Sequence, residues 1–145
     1  MPDAIPGLTP TVRRYLDAPR HATLATVGAD GTPHVSVIWY RLDGDAILVN
    51  SRLGRRWPRE LQADAHCALT VVHPDIDIEL YVAVQAEAEV VATGPAALAD
   101  IQALARRYGG DAAKFEGQSR ISFRLRPTSI VVHGELELAV AEVRA

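Results

Sequence analysis

The chain of 145 residues holds a single cysteine, Cys67, so no disulfide can form within it. It lacks any apolar run near the roughly twenty residues a membrane-spanning helix needs, and it shows no internal repeat or low-complexity tract. Positive charge is not in excess. The formal net charge is -3, which argues against a general affinity for nucleic acid or acidic membrane surfaces. The first six residues, Met1 to Pro6, carry neither an apolar targeting core nor a basic leader, so a cytoplasmic location is expected. Also missing are a Gly-x-Ser-x-Gly elbow, a Walker loop and a Gly-x-Gly-x-x-Gly fingerprint, and His21, His34, His66, His73 and His133 lack the helical spacing of a zinc site. No catalytic residue and no metal follow from the sequence. Composition does not break along the chain, and 48% of it is hydrophobic, so residues 1–145 are expected to form one domain with a real core.

What is present is a basic turn from Asn50 to Leu61, where a β-prone segment empties through Gly54 into a helix. Pro58 has no N–H and biases Trp57 away from α geometry, so a short helix is expected from Pro58, in its first turn, to Asp64. The unpaired amides of that end, the helix dipole and Arg55 and Arg56, with Arg52 one loop back, favour an anion such as phosphate. A solvated basic turn is the plainer alternative. The order of strand, glycine and helix start favours the anion seat.

Around that turn the pattern is mainly β. Thr9 and Pro10 cap a leading helix within residues 1–19, ended by Pro19. Ala22 to Val27 and Val35 to Tyr40 are strands joined through Ala29 to Pro33, and Asp43-Gly44-Asp45 turns the chain into a third strand, Ala46 to Val49. Cys67 to Val72 reads as a buried strand and Leu80 to Val91 as a half-exposed one. An amphipathic helix spans Pro95 to Tyr108 and stops at Gly109-Gly110. Ile121, Phe123 and Leu125 alternate in a sixth strand, Pro127 interrupts, and Ile130 to Val132 form a seventh. Sequential strands with few helices predict an antiparallel barrel of six to seven strands in an α+β chain.

The stretch His21 to Tyr40, the Asp43-Gly44-Asp45 turn, Gly54-Arg55-Arg56, the helix end Arg107-Tyr108-Gly109-Gly110 and the strand end Val132-His133-Gly134 together resemble a known family. It is that of the flavin and deazaflavin oxidoreductases of the pyridoxamine-phosphate-oxidase-like superfamily, and within it the actinobacterial branch that uses coenzyme F420. The resemblance implies a split β-barrel with short flanking helices, paired as a homodimer with cofactor grooves between subunits. It implies hydride transfer between F420 and a small conjugated organic substrate, with an FMN-dependent enzyme of the same fold, or a non-catalytic binder of flavin, haem or F420, as alternatives. Carried onto this chain, Pro33, His34, Val35 and Ser36 run under the cofactor ring, Asn50 and Ser51 face the ribityl chain, and Arg55, Arg56 and Arg52 hold the phosphate. Similar proteins read Arg-Lys-x-x-Asn-Leu where this chain has Arg56-Trp57-Pro58-Arg59-Glu60-Leu61. Trp57 is therefore expected either to stack on the ring or to plug the groove.

Flavin-type cofactors carry the hydride themselves, so the protein is asked for binding and orientation, not for a nucleophile. His34 is kept as cofactor-proximal only. Trp39 and Tyr81 are candidate walls of a substrate pocket, with the hydrophobic core as the other reading. Asp75, Asp77 and Glu79 alternate as along an extended edge, and Cys67 is read as an inert buried thiol.

Overall fold

The computed structural model describes residues 7–137. Residues 1–6 of the expected leading segment lie outside the described residues. Helix α1 is Pro10–Asp17; Thr9 caps it, its Oγ1 accepting from the Val12 amide at 3.2 Å, and Pro10 takes a first-turn position where no N–H is needed. Val12, Tyr15 and Leu16 bury one face, and the Tyr15 hydroxyl donates to the Val71 carbonyl at 2.9 Å.

Seven strands follow: β1 (Ala22–Val27), β2 (Pro33–Ile38), β3 (Arg41–Asp43), β4 (Ala46–Arg52), β5 (His66–Val72), β6 (Tyr81–Thr93) and β7 (Arg120–His133). Helix α2 (Arg56–Ala63) lies between β4 and β5, and α3 (Gly94–Arg107) between β6 and β7. All described pairings are antiparallel, in the order β2-β1-β5-β6-β7-β4-β3. The two edges of that sheet are β2 and β3, yet the chain passes from one to the other through Trp39 and Tyr40 alone. Two residues span at most about 10 Å between edges, so the sheet must curl until its ends meet there. This is the split barrel.

Tyr40 belongs to no strand, and its backbone is satisfied by α3. The Tyr40 amide donates to the Tyr108 hydroxyl (3.2 Å), the Arg107 Nε–H donates to the Tyr40 carbonyl (3.1 Å), and the Tyr108 hydroxyl donates to the Arg20 carbonyl (2.6 Å). The interior is filled by alternate side chains of the strands, including Leu24, Ile47, Val49, Leu69, Val82, Phe123 and Leu125.

Several expectations change. The strand expected to run through Tyr40 ends at Ile38, and Arg41–Asp43 is a short strand outside those expected. The strands predicted on either side of Pro127 are one strand, β7. Ala86 pairs with Pro127 while Gln85 pairs with Ser129, so Thr128 is a bulge residue and the proline sits where the ladder already slips. Residues Asp75 to Glu79 do not extend; Ile76–Ile78 form a 3-10 turn in which the Asp75 carboxylate accepts from the Asp77 amide at 3.0 Å. The helix after β4 begins at Arg56, two residues before Pro58, because the first turn has no use for the amide that proline lacks. Cys67 is buried, its thiol donating to the Ala86 carbonyl at 3.6 Å. Gly134, at φ +99°, would bring an added Cβ to 2.7 Å from the Glu79 carbonyl oxygen, so the Val-His-Gly ending needs glycine. No helix among the described residues is long and apolar enough to cross a membrane.

Candidate functional site

Strands β4 and β7 run antiparallel with Asn50 opposite Ser122 and Arg52 opposite Arg120. Side chains directly opposite share one side of a sheet, so two guanidinium groups are set side by side, an arrangement that costs energy unless an anion lies between them. Beyond Arg52 the chain turns at Gly54 (φ +92°), and Arg55, still extended at ψ 164°, is the N-cap residue of α2. The amides of Arg56 and Trp57 are therefore free of helical acceptors, and no side chain caps them. A cavity of about 470 Å³ opens here, lined by Arg52, Arg55 and Arg120 together with Asn50, Ser51, Gln118, Trp57, Ile101 and Phe115, and by His21, Val37, Ile38 and Trp39.

Arg120 is 7% exposed. Its Nε–H donates to Asn50 Oδ1 and its Nη1 to Gln118 Oε1, both at 2.9 Å, and its guanidinium carbon lies 5.3 Å from the Phe115 ring centre. Burial first, and then the charges of Arg55 and Arg52, hold its pKa down to about 10, so it stays cationic at neutral pH. Among the described residues no carboxylate pairs with Arg52, Arg55 or Arg120. A buried cation without a counter-ion is expensive, and an anionic ligand removes that cost.

The same burial sets an alkaline limit on stability. Burial raises the pKa of Tyr15, Tyr40 and Tyr108, and pushes the Cys67 thiol up to about 12. The folded chain thus keeps protons that the unfolded chain gives up from about pH 9 to 10. Stability present below that range is lost as pH rises toward the folded values. Arg120 acts in the opposite sense, since its proton is held more weakly in the folded state. With four groups against one, Tm should fall as pH is raised above about 10, while ionisation of Tyr15, Tyr40 and Tyr108 appears only with unfolding. Phenolate absorbance amounting to more than one of the four tyrosines, well before the thermal transition, would contradict this.

Aromatic rings also line the cavity. Trp39 stacks on Tyr108 (5.1 Å, 9°), with Phe115 edge-on at 6.3 Å and His21 beside Tyr108 at 5.7 Å. Trp57 reaches the floor of the cavity, but its indole is mostly packed on Phe123 (5.9 Å, 46°) and is 9% exposed.

Of the residues singled out from the sequence, Asn50, Ser51, Arg52, Arg55, Trp57 and Trp39 come together here. Six others are placed elsewhere. On β2, Pro33 and Val35 alternate to an exposed outer face, while His34 turns inward, its Nδ1 2.8 Å from Glu60 Oε2; Ser36 is half-buried on that same inner side. The other Glu60 oxygen accepts from Thr26 Oγ1 at 3.1 Å, so His34 is tied to α2 rather than to the cavity. Arg56 lies 4.0 Å from Glu60, one turn along α2, and lines a separate cleft with Arg59. Tyr81 stacks on His133 (5.0 Å, 8°) on the outer face. Arg120, Ser122, Gln118 and Phe115 belong to no motif of the sequence, and His21 only opens the stretch that carries the resemblance. Arg120 stands just before an alternating strand, and only the β4–β7 register, 68 positions across the chain, brings it to Arg52.

Fold and site together define a split-barrel protein with a cationic, aromatic-walled cavity outside β4 and β7. The chain belongs to the pyridoxamine 5'-phosphate oxidase family, whose model matches residues 8–142. Among solved structures it is similar to an F420 reductase, at 27% identity over 90% of this chain and 98% of that one, with a TM-score of 0.68. A conserved hypothetical protein from Mycobacterium tuberculosis shares 20% identity over 96% and 92% of the two chains, with a TM-score of 0.74. The haem storage protein HutZ from Vibrio cholerae also shares 20% identity, over 86% and 94%, with a TM-score of 0.68. No curated protein sequence matches the chain.

Proposed function

We propose that the cavity binds the phosphate of a flavin-type cofactor, with coenzyme F420 as first choice and FMN as the alternative, and that the protein is an oxidoreductase acting on a small conjugated substrate. The observation that carries this is the trio Arg52, Arg55 and Arg120, without a carboxylate partner among the described residues and lining one cavity with Trp39, Trp57 and Phe115. Its charge suits a phosphate anion, and the half-buried Trp39 offers a flat surface for a ring. Such a cofactor supplies hydride transfer when bound. The chain's own work is to seat the phosphate on the arginines and the free α2 amides, to orient the ring against Trp39, and to limit water through Ile101, Phe115 and Trp57. The F420 reductase named above, at 27% identity, supports the choice of deazaflavin.

A homodimer is part of the proposal. Val35 (66% exposed), Val37 (71%), Val72 (56%) and Val131 (57%) share the outer face of the sheet with Tyr81, and Val37 also lines the cavity. An apolar face continuous with the site is suited to a second copy that covers both.

Protein purified from a host that makes both FMN and F420 should carry one of them, visible by colour and fluorescence, and should have twice the 15.7 kDa mass of the chain by light scattering. Binding with no reoxidation of the reduced cofactor by any enone, quinone or tetrapyrrole would leave a storage or carrier protein. Failure to bind either cofactor would overturn the proposal.

A further inference from the structure

Behind Arg120 lies a buried row of polar side chains in which donation runs one way. The Arg120 Nε–H donates to Asn50 Oδ1 (2.9 Å), Asn50 Nδ2 donates to Ser122 Oγ (2.9 Å), and the Ser122 hydroxyl donates to Asp100 Oδ2 (2.7 Å). The second Asn50 N–H is fixed on the Ala97 carbonyl of α3 at 2.8 Å. No member is free to turn. Flipping the Asn50 amide would set its NH2 against the Arg120 Nε–H, and a hydroxyl already accepting from Asn50 has only Asp100 to donate to. Arg120, Asn50 and Ser122 are each at most 8% exposed, whereas the Asp100 side chain is 25% exposed and 3.9 Å from Arg41. With Nε and Nη1 engaged, Arg120 keeps its Nη2 donors for the cavity.

We infer that Asp100 is a positioning residue for the anion seat: acting through Ser122 and Asn50, it fixes the Arg120 guanidinium where a ligand phosphate binds, without touching the ligand. This rests on the phosphate reading above. Charge alone predicts the opposite effect. Asp100 is a negative group near an anion site, so its removal should tighten phosphate binding if it acts only through space. If it acts through the relay, its removal loosens Arg120 and weakens binding, so the sign of the change separates the two.

The test is titration of wild-type protein and of Asp100→Ala, Ser122→Ala and Arg120→Gln with FMN against riboflavin, and with F420 against its phosphate-free deazaflavin. Ring fluorescence reports each, and inorganic phosphate serves as competitor and, by thermal shift, as ligand. Asp100→Ala and Ser122→Ala should each weaken the phosphorylated ligand about tenfold and leave the phosphate-free ligand unchanged. In the Arg120→Gln background, Asp100→Ala should add nothing. Ser122→Thr, which keeps the hydroxyl, should restore affinity. Tighter binding in Asp100→Ala, or equal losses for phosphorylated and phosphate-free ligands, would overturn the relay. Wild-type protein that binds phosphate but neither flavin nor deazaflavin would remove the cofactor reading, and the phosphate arm alone would then decide the relay. Binding of no phosphate at all would remove both.

Discussion

Replacing Arg52 and Arg55 together by alanine is expected to raise the Kd for the phosphorylated cofactor about a thousandfold, taking roughly 2 kcal/mol for each charge-assisted bond lost. Arg120 remains in that variant, so residual phosphate binding is retained through its Nη2 donors and the α2 amides. Riboflavin affinity should barely change. Arg56→Ala is the internal control, because the exposed Arg56 lies 4.0 Å from Glu60 and lines a different cleft; its effect on cofactor affinity should stay within about threefold, a difference of less than about 1 kcal/mol. A loss in Arg56→Ala equal to that of the double variant would place the phosphate on the wrong side of α2 and defeat the assignment. Raising salt should weaken wild-type binding more than that of the double variant, since fewer charges then remain to be screened.

Phe123→Ala should cost about 3–5 kcal/mol of folding stability, measured by denaturant unfolding. Phe123 is 1% exposed and is the ring on which Trp57 rests. A cavity there removes core contacts and also the support of the first turn of α2. Cofactor affinity should therefore fall in the same variant, even though Phe123 does not line the cavity. A domain of this size has about 5–15 kcal/mol in total, so the variant is expected to be marginal near body temperature. Retention of both stability and affinity would show that α2 is held in place by something other than this tilted ring contact.

What could be read from the sequence was what neighbours along the chain decide. The Asp30-Gly31 and Asp43-Gly44-Asp45 turns, the Thr9 cap and the alanine-rich α3 depend on a few adjacent residues, and each appears close to where its signal stands. Pro127 was misleading because a missing amide looks like a strand end unless the partner strand is known to slip by one residue there. Arg55 and Arg56 look equivalent in a string of letters. They part because Arg55 is still extended as N-cap while Arg56 has entered the helix, and a step of about 100° per residue turns it toward Glu60. His34 illustrates the same limit: alternation says that it faces away from Val35, but not that a carboxylate from α2 waits on that side. Arg120 was invisible for the most general reason. Its role depends on strand register, which a single sequence does not print.

The link through Trp39 and Tyr40 has a mechanical consequence. One of these two residues forms the flat wall of the cavity, and the other is clamped to α3 by Arg107 and Tyr108. The seam of the barrel and the berth for a ring are thus a single piece of chain. On the proposed reading, a guest that settled against the indole would also tighten the clasp, and breathing of the seam would loosen its hold on the guest, so residence time and barrel rigidity would be two readings of one spring.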